Sequence, residues 1–100
     1  MALQHWKLER DADGIAWATL DVAGSSTNTL GSAVMLELAS LLDELDRQPP
    51  TGLVIRSGKA AGFIAGADIE EFTRIDSPAA ARALVERGWS LFNRLAAVAY

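Results

Sequence analysis

Apolar and polar positions change period along this chain, and the changes mark out its elements. Trp6 and Leu8, then Ile15, Trp17 and Leu20, fall in two short β-prone runs around Asp11-Ala12-Asp13-Gly14. This predicts an antiparallel hairpin with Gly14 supplying the positive φ of the turn. A polar loop, Ala23 to Asn28, follows. Val34, Leu38, Leu41, Leu42 and Leu45 then recur at helical spacing. Pro49-Pro50 ends that helix, because proline cannot donate the next backbone bond and disfavours helix in the residue before it.

Leu53-Val54-Ile55 is a short continuous apolar run, which predicts a strand covered on both faces and ended by Ser57-Gly58. Small residues Ala65-Gly66-Ala67 come next, at the expected start of a short acidic helix over Asp68 to Thr73. Ser77-Pro78 predicts a longer helix, with Ser77 as cap and Pro78 in the first turn. Its apolar face is Ala81, Leu84, Val85, Gly88, Leu91, Phe92 and Leu95. Gly88 disfavours a helix interior by about 1 kcal/mol relative to Ala, which predicts another backbone packed against it. The order of hairpin, helix, buried strand and helices indicates an α/β chain of layered ββα repeats, without linker or sequence repeat.

Composition narrows the possibilities. The chain has 100 residues, half of them hydrophobic and 22% charged, with a formal net charge of −4. That fits one folded module, residues 1–100, or part of one. The nine basic residues are scattered, which argues against nucleic acid as a partner. There is no cysteine and a single histidine, so disulfides, thiolate chemistry and a histidine metal site are excluded. No apolar run approaches ~18 residues and no leader pattern opens the chain; a cytoplasmic protein without a membrane span is expected. The apolar stretch before Tyr100 suggests the front part of a longer protein, truncated at its C-terminal side.

The residues most suited to chemistry are Ala65 to Asp68. Almost without side chains, they let a ligand approach the backbone, and an amide at a helix start suits an oxygen acquiring negative charge. On physical grounds alone a tight, well-capped turn explains the same residues. Gly52 and Gly58-Lys59 do not make a phosphate loop, since the spacing is wrong and Ala60 stands where Ser or Thr is needed. His5 reads as an edge residue, not a base. Trp17, Trp89 and Phe92 read as core positions, and Glu70 and Glu71 as helix-start residues.

Phe63-Ile64-Ala65-Gly66-Ala67-Asp68-Ile69, after the Ser57-Gly58-Lys59 turn, resembles the F-x-A-G-A-D-I pattern of the enoyl-CoA hydratase/isomerase (crotonase) family. Asp13-Gly14-Ile15-Ala16 and Asn28-Thr29-Leu30 resemble its earlier D-G-x-A and N-x-L segments. The chain looks most like the hydratase portion of multifunctional fatty-acid-oxidation alpha subunits. The resemblance implies a partial crotonase-type fold acting on acyl-CoA thioesters in β-oxidation. In it the Ala67 N–H is one of two oxyanion-hole donors. Gly66, Asp68 and Ile69 line the CoA channel, and the loop of Asn28, Thr29 and Leu30 lies near the CoA moiety, with Asn28 the more structural of these. Arg56 and Lys59 border that channel as candidate phosphate partners.

No cofactor is implied beyond coenzyme A as part of the substrate, and the complete protein is expected to be a homo-oligomer or part of a multienzyme complex. The family's second donor comes from a downstream glycine-rich segment and its catalytic glutamates lie in and after it; that segment does not occur in these residues, and neither Glu70, Glu71 nor Glu86 takes their place. The chain alone is therefore expected to be inactive. The alternative is a noncatalytic fragment that binds CoA or joins an assembly.

Overall fold

Asp11 organises the first turn. Its Oδ1 accepts the N–H groups of Asp13 at 2.9 Å and Ile15 at 3.0 Å, and Gly14 sits at φ 80° as the turn requires. A computed structural model describes residues 3–67 and 75–100. In it β1 (Trp6–Arg10) pairs antiparallel with β2 (Ile15–Leu20), from Trp6 opposite Leu20 to Arg10 opposite Ala16.

After β2 come a two-residue strand β3 (Thr29–Leu30), helix α1 (Ser32–Arg47) and strand β4 (Gly52–Ser57). β4 lies parallel to β2, with Ala16 opposite Leu53 and Ala18 opposite Ile55, giving the sheet order β1-β2-β4. A parallel neighbour needs a crossover, and α1 supplies it. A second strand pair joins β3 to β5 (Gly66–Ala67), and α2 (Pro78–Ala96) closes the described chain.

The core lies between the sheet and α1. Ala16, Ala18 and Leu20 on one face of β2 cluster with Val34, Leu38, Leu41, Leu42 and Leu45, the five residues whose spacing predicted the helix. Burying each of those leucines contributes roughly 1.5–3 kcal/mol relative to exposure. Trp6 completes the core, and its Nε1 donates to the Val34 carbonyl at 3.0 Å. Glu37 on α1 fixes the incoming chain, accepting the N–H groups of Gln4 and His5 at 2.9 Å each and of Trp6 at 3.3 Å. α1 ends at Arg47, ahead of Pro49-Pro50.

α2 starts as its sequence predicts, with the Ser77 side chain accepting the Ala80 N–H at 3.1 Å. None of its residues is buried. It leans on the core through Leu91 and Leu95 and is tied to α1 by Arg94, which reaches Asp43 at 2.7 Å and Asp46 at 2.8 Å.

Several expectations are corrected. Among the described residues β4 is covered on one face only: Leu53 and Ile55 turn to the core, whereas Val54 shares the opposite, open face with Trp17, its partner across the ladder. Trp17 is accordingly outside the core, under the Arg56 guanidinium at 4.8 Å from the ring centroid. Trp89 is 62% and Phe92 41% exposed, because α1 meets only the Leu91 and Leu95 side of α2. Among the described residues nothing lies within 4 Å of a Cβ added at Gly88, and none packs its backbone there. Gly66 and Ala67 extend as β5 beside β3 instead of opening a helix, and the helix expected from Asp68 to Thr73 lies outside the described residues.

Candidate functional site

The approach to Ala67 is built from two loops pinned together. Asn28, at the end of the loop after β2, is 2% exposed and, among the described residues, is the buried polar side chain. Its Oδ1 accepts the Val22 N–H at 3.0 Å. Its Nδ2 faces the Leu20 carbonyl and the Ser57 hydroxyl, each at 3.0 Å, and the Phe63 carbonyl at 2.9 Å. A buried amide is tolerated only when so satisfied. The Asn28 carbonyl in turn accepts the Ala65 N–H at 2.7 Å. Asn28 is thus an internal strut of the loop beside the site, with its amide fully engaged by protein.

Ser57 continues the junction from the end of β4. Its hydroxyl donates to the Gly62 carbonyl at 2.6 Å and accepts the Lys59 N–H at 2.9 Å. Lys59 closes the other side. Its Nζ contacts the Asp21 carboxylate at 2.6 Å, the Val22 carbonyl at 2.7 Å and the Ser25 carbonyl. An ammonium has three donors, and all three have acceptors here. Its side chain is only 12% exposed, so Lys59, expected at the channel as a candidate phosphate partner, straps the loop instead.

Arg56, the other candidate cation, points from β4 to the open sheet face, where its Nε donates to Thr19 at 3.0 Å and its guanidinium stacks on Trp17. His5 is a structural acceptor: its Nδ1 takes the Ala23 N–H at 3.1 Å, and its Nε2 lies 3.9 Å from Glu37. Glu86 is exposed on α2.

Beyond this junction the chain reaches β5, where Ala67 pairs with Leu30 and Gly66 with Thr29. Leu30 and Ala67 form part of the wall of a cleft of about 420 Å³ between α1 and α2. Met35, Leu36 and Ala39 line it from α1, and Leu84, Val85, Gly88, Leu91 and Phe92 from α2. The volume lies in the range of small-molecule sites, and the lining suits an apolar chain better than a charged one. Gly88 has its explanation here: it widens the cleft.

Of the residues singled out in the sequence, the fold brings together Leu30 and Ala67, with Gly66 adjacent and Asn28 behind them. Asp68 and Ile69 lie outside the described residues. Ser57 was legible only as the end of a strand, and its role depends on a partner 29 residues away. The one available signal was a small hydroxyl ending an apolar strand. Among the described residues no group of three or more acidic, histidine or cysteine side chains could hold a metal, and no helix is long and apolar enough to cross a membrane.

No family model matches the chain. Curated relatives do. The fatty acid oxidation complex subunit alpha of Aliivibrio fischeri is 42% identical over 88 residues, covering 86% of this chain and 13% of its own length. The Shewanella oneidensis protein of the same name is 39% identical over 94 residues, covering 93% of this chain and again 13% of its own. The chain therefore spans about an eighth of the length of these relatives. Among solved structures, an enoyl-CoA isomerase of Mycobacterium tuberculosis superposes with a TM-score of 0.73 at 27% identity, over 91% of this chain and 37% of that one. An enoyl-CoA hydratase from Mycobacterium smegmatis shares the fold with a TM-score of 0.80 at 21% identity, over 91% of this chain and 35% of its own.

Proposed function

Because this chain belongs to the enoyl-CoA hydratase/isomerase family, we propose that it forms the part of an acyl-CoA site that holds the thioester oxygen and the start of the acyl chain. The observation that carries this reading is that Ala67 stands at the wall of an apolar cleft of about 420 Å³, beside Leu30.

The chemistry follows from what the reaction needs. Adding water across a 2-enoyl thioester, or moving its double bond, passes charge onto the thioester oxygen as an enolate. A fixed amide directed at that oxygen stabilises the charge, and losing one such donor costs on the order of 3 kcal/mol of barrier. The Ala67 N–H is that donor in this reading, and Gly66 lets the thioester approach the backbone. The cleft receives the acyl chain, and its apolar lining excludes water from it. No cofactor beyond the CoA of the substrate is needed. The second amide comes from the downstream glycine-rich segment, and the carboxylates that handle the protons of water and of the α-carbon lie in and after it; these residues do not contain that segment.

The complete protein is read as a β-oxidation enzyme of the cytoplasm, working in a multienzyme complex as the relatives' names describe. The test is an amide NMR titration of the 100-residue chain with butyryl-CoA, alongside a turnover assay with crotonyl-CoA. Shifts at Gly66, Ala67 and Leu84 without turnover are expected. Shifts confined to surface lysines and arginines would show that only the phosphates are being sensed, and would remove the reading.

A second reading has its own observation. Val85, Trp89 and Phe92 leave α2 with a broad exposed apolar face, which suits a piece that binds within an assembly without catalysing anything. The titration separates the two: an assembly piece leaves Ala67 unmoved by butyryl-CoA.

A further inference from the structure

We propose that Asn28 and Ser57 act together as positioning residues for the oxyanion turn, fixing the backbone from Gly62 to Ala67 and with it the direction of the Ala67 N–H. The inference rests on the acyl-CoA reading above for what that amide does, and on the described geometry for how it is held.

The run from Gly62 to Ala67 has little of its own to define it. Gly62 and Gly66 both sit at φ 139°, a region that glycine enters freely and other residues rarely do. A segment bounded by two such glycines has many conformations to lose, and its only regular pairing is the two-residue match of β5 with β3. Precision must come from elsewhere.

It comes from three hydrogen bonds made by two residues. The Ser57 hydroxyl holds the Gly62 carbonyl at 2.6 Å, the Asn28 Nδ2 reaches the Phe63 carbonyl at 2.9 Å, and the Asn28 main-chain carbonyl accepts the Ala65 N–H at 2.7 Å. The two hydrogens of Asn28 Nδ2 are shared among the Phe63 carbonyl, the Ser57 hydroxyl at 3.0 Å and the Leu20 carbonyl at 3.0 Å, which ties Asn28 to Ser57. Asn28 Oδ1 accepts the Val22 N–H at the end of β2. The turn is thereby referenced to the central sheet.

An apolar residue could fill the Asn28 site, but it would leave the carbonyls of Leu20 and Phe63 facing it without that donor, which is the costly arrangement. The charged groups tied into the same junction, Lys59 and Asp21, pair with each other and leave the neutral amide as the link to the turn.

The test uses amide hydrogen exchange and butyryl-CoA titration by NMR on the full 100-residue chain. The variants are Asn28→Ala, Ser57→Ala, Ser57→Thr and, as a core-destabilised control, Leu45→Ala. In Ser57→Ala and Asn28→Ala the Ala65 amide, bonded to the main-chain carbonyl of residue 28, should exchange about tenfold faster relative to the Leu41 amide. Butyryl-CoA affinity, corrected for folded fraction, should fall at least about fivefold. Ser57→Thr keeps the hydroxyl and should recover most of both. Leu45→Ala should speed exchange everywhere in step and leave the corrected affinity alone.

If Leu45→Ala speeds exchange of the Ala65 amide as much as the junction variants do, relative to Leu41, the pair is an ordinary stabilising contact and the proposal fails. If the junction variants exchange faster yet bind butyryl-CoA as the unaltered chain does, the positioning role fails while the acyl-CoA reading stands. If the unaltered chain shows no butyryl-CoA shift at Ala67, the acyl-CoA reading itself falls and takes the positioning role with it. Should Asn28→Ala fail to fold, Ser57→Ala and Ser57→Thr decide the matter alone.

Discussion

Lys59 closes on Asp21 at 2.6 Å, and the same ammonium holds the carbonyls of Val22 and Ser25. One side chain from the turn after β4 thus fastens the loop after β2. Gly58 makes the approach possible, since a Cβ there would lie 3.1 Å from the Cβ of Asp21. Replacing Lys59 with Met keeps the stem and removes the donors. We expect a stability loss of about 1 kcal/mol, only part of it suppressed by high salt, because two of the three partners are carbonyls. Urea unfolding at low and high salt checks this; an unchanged midpoint would dissolve the strap.

Two glycines should respond in opposite directions to the same change. Gly14 sits at φ 80° and a Cβ there would meet Thr51 Oγ1 at 2.7 Å, so Gly14→Ala is expected to lose roughly 1–2 kcal/mol. Gly88 is helical and faces open space, so Gly88→Ala should gain about 0.5–1 kcal/mol. Paired thermal melts decide both, and a loss at Gly88 would reveal a close contact absent among the described residues.

Asp11 predicts a pH dependence with a definite sign. The hydrogen bond from Trp17 Nε1, and then those from the Ile15 and Asp13 backbone, hold its carboxyl below the ordinary 3.8. The folded state then takes up its proton at lower pH than the unfolded chain does. The stabilisation is present above pH 3.8 and is lost as pH falls through the lowered value. Asp11→Asn removes this titration, so the stability gap between the two proteins should narrow steadily on acidification. A gap that stays constant through that range would contradict the assignment.

Trp89 tests the open face of α2. At 62% exposure it contributes little to the fold, and Trp89→Lys should leave the unfolding midpoint within about 0.5 kcal/mol of its original value. The same change should reduce concentration-dependent self-association, which an exposed apolar face promotes. Sedimentation over a range of concentrations measures it, and a folded variant that associates as before would place the sticky surface elsewhere.

The site was legible to different depths. The small-residue run at Ala65 to Ala67 predicted a helix start where Gly66 and Ala67 pair as β5, and Asn28, expected beside the CoA moiety though more structural than in contact, has its amide engaged by protein. Lys59 was expected to face the channel as a phosphate partner, but the return of the loop between Asp21 and Ser25 gives its ammonium three acceptors within the protein. Trp89 and Phe92 were misread because helical spacing identifies an apolar face without saying how much of it a neighbour covers.

What the sequence determined by itself was local: the Asp11 to Gly14 turn, the five-residue inner face of α1, its end before Pro49-Pro50, and the Ser77-Pro78 start of α2. Each follows from period, capping or backbone freedom within a few residues. The tertiary structure decided which face of β4 is covered, where Lys59 and Arg56 point, the pairing of Leu30 with Ala67, and the cradle that Asn28 and Ser57 make for the turn. Those depend on strand register and on partners 29 to 37 residues apart. Distances set by packing across the sheet leave no periodic trace along the chain.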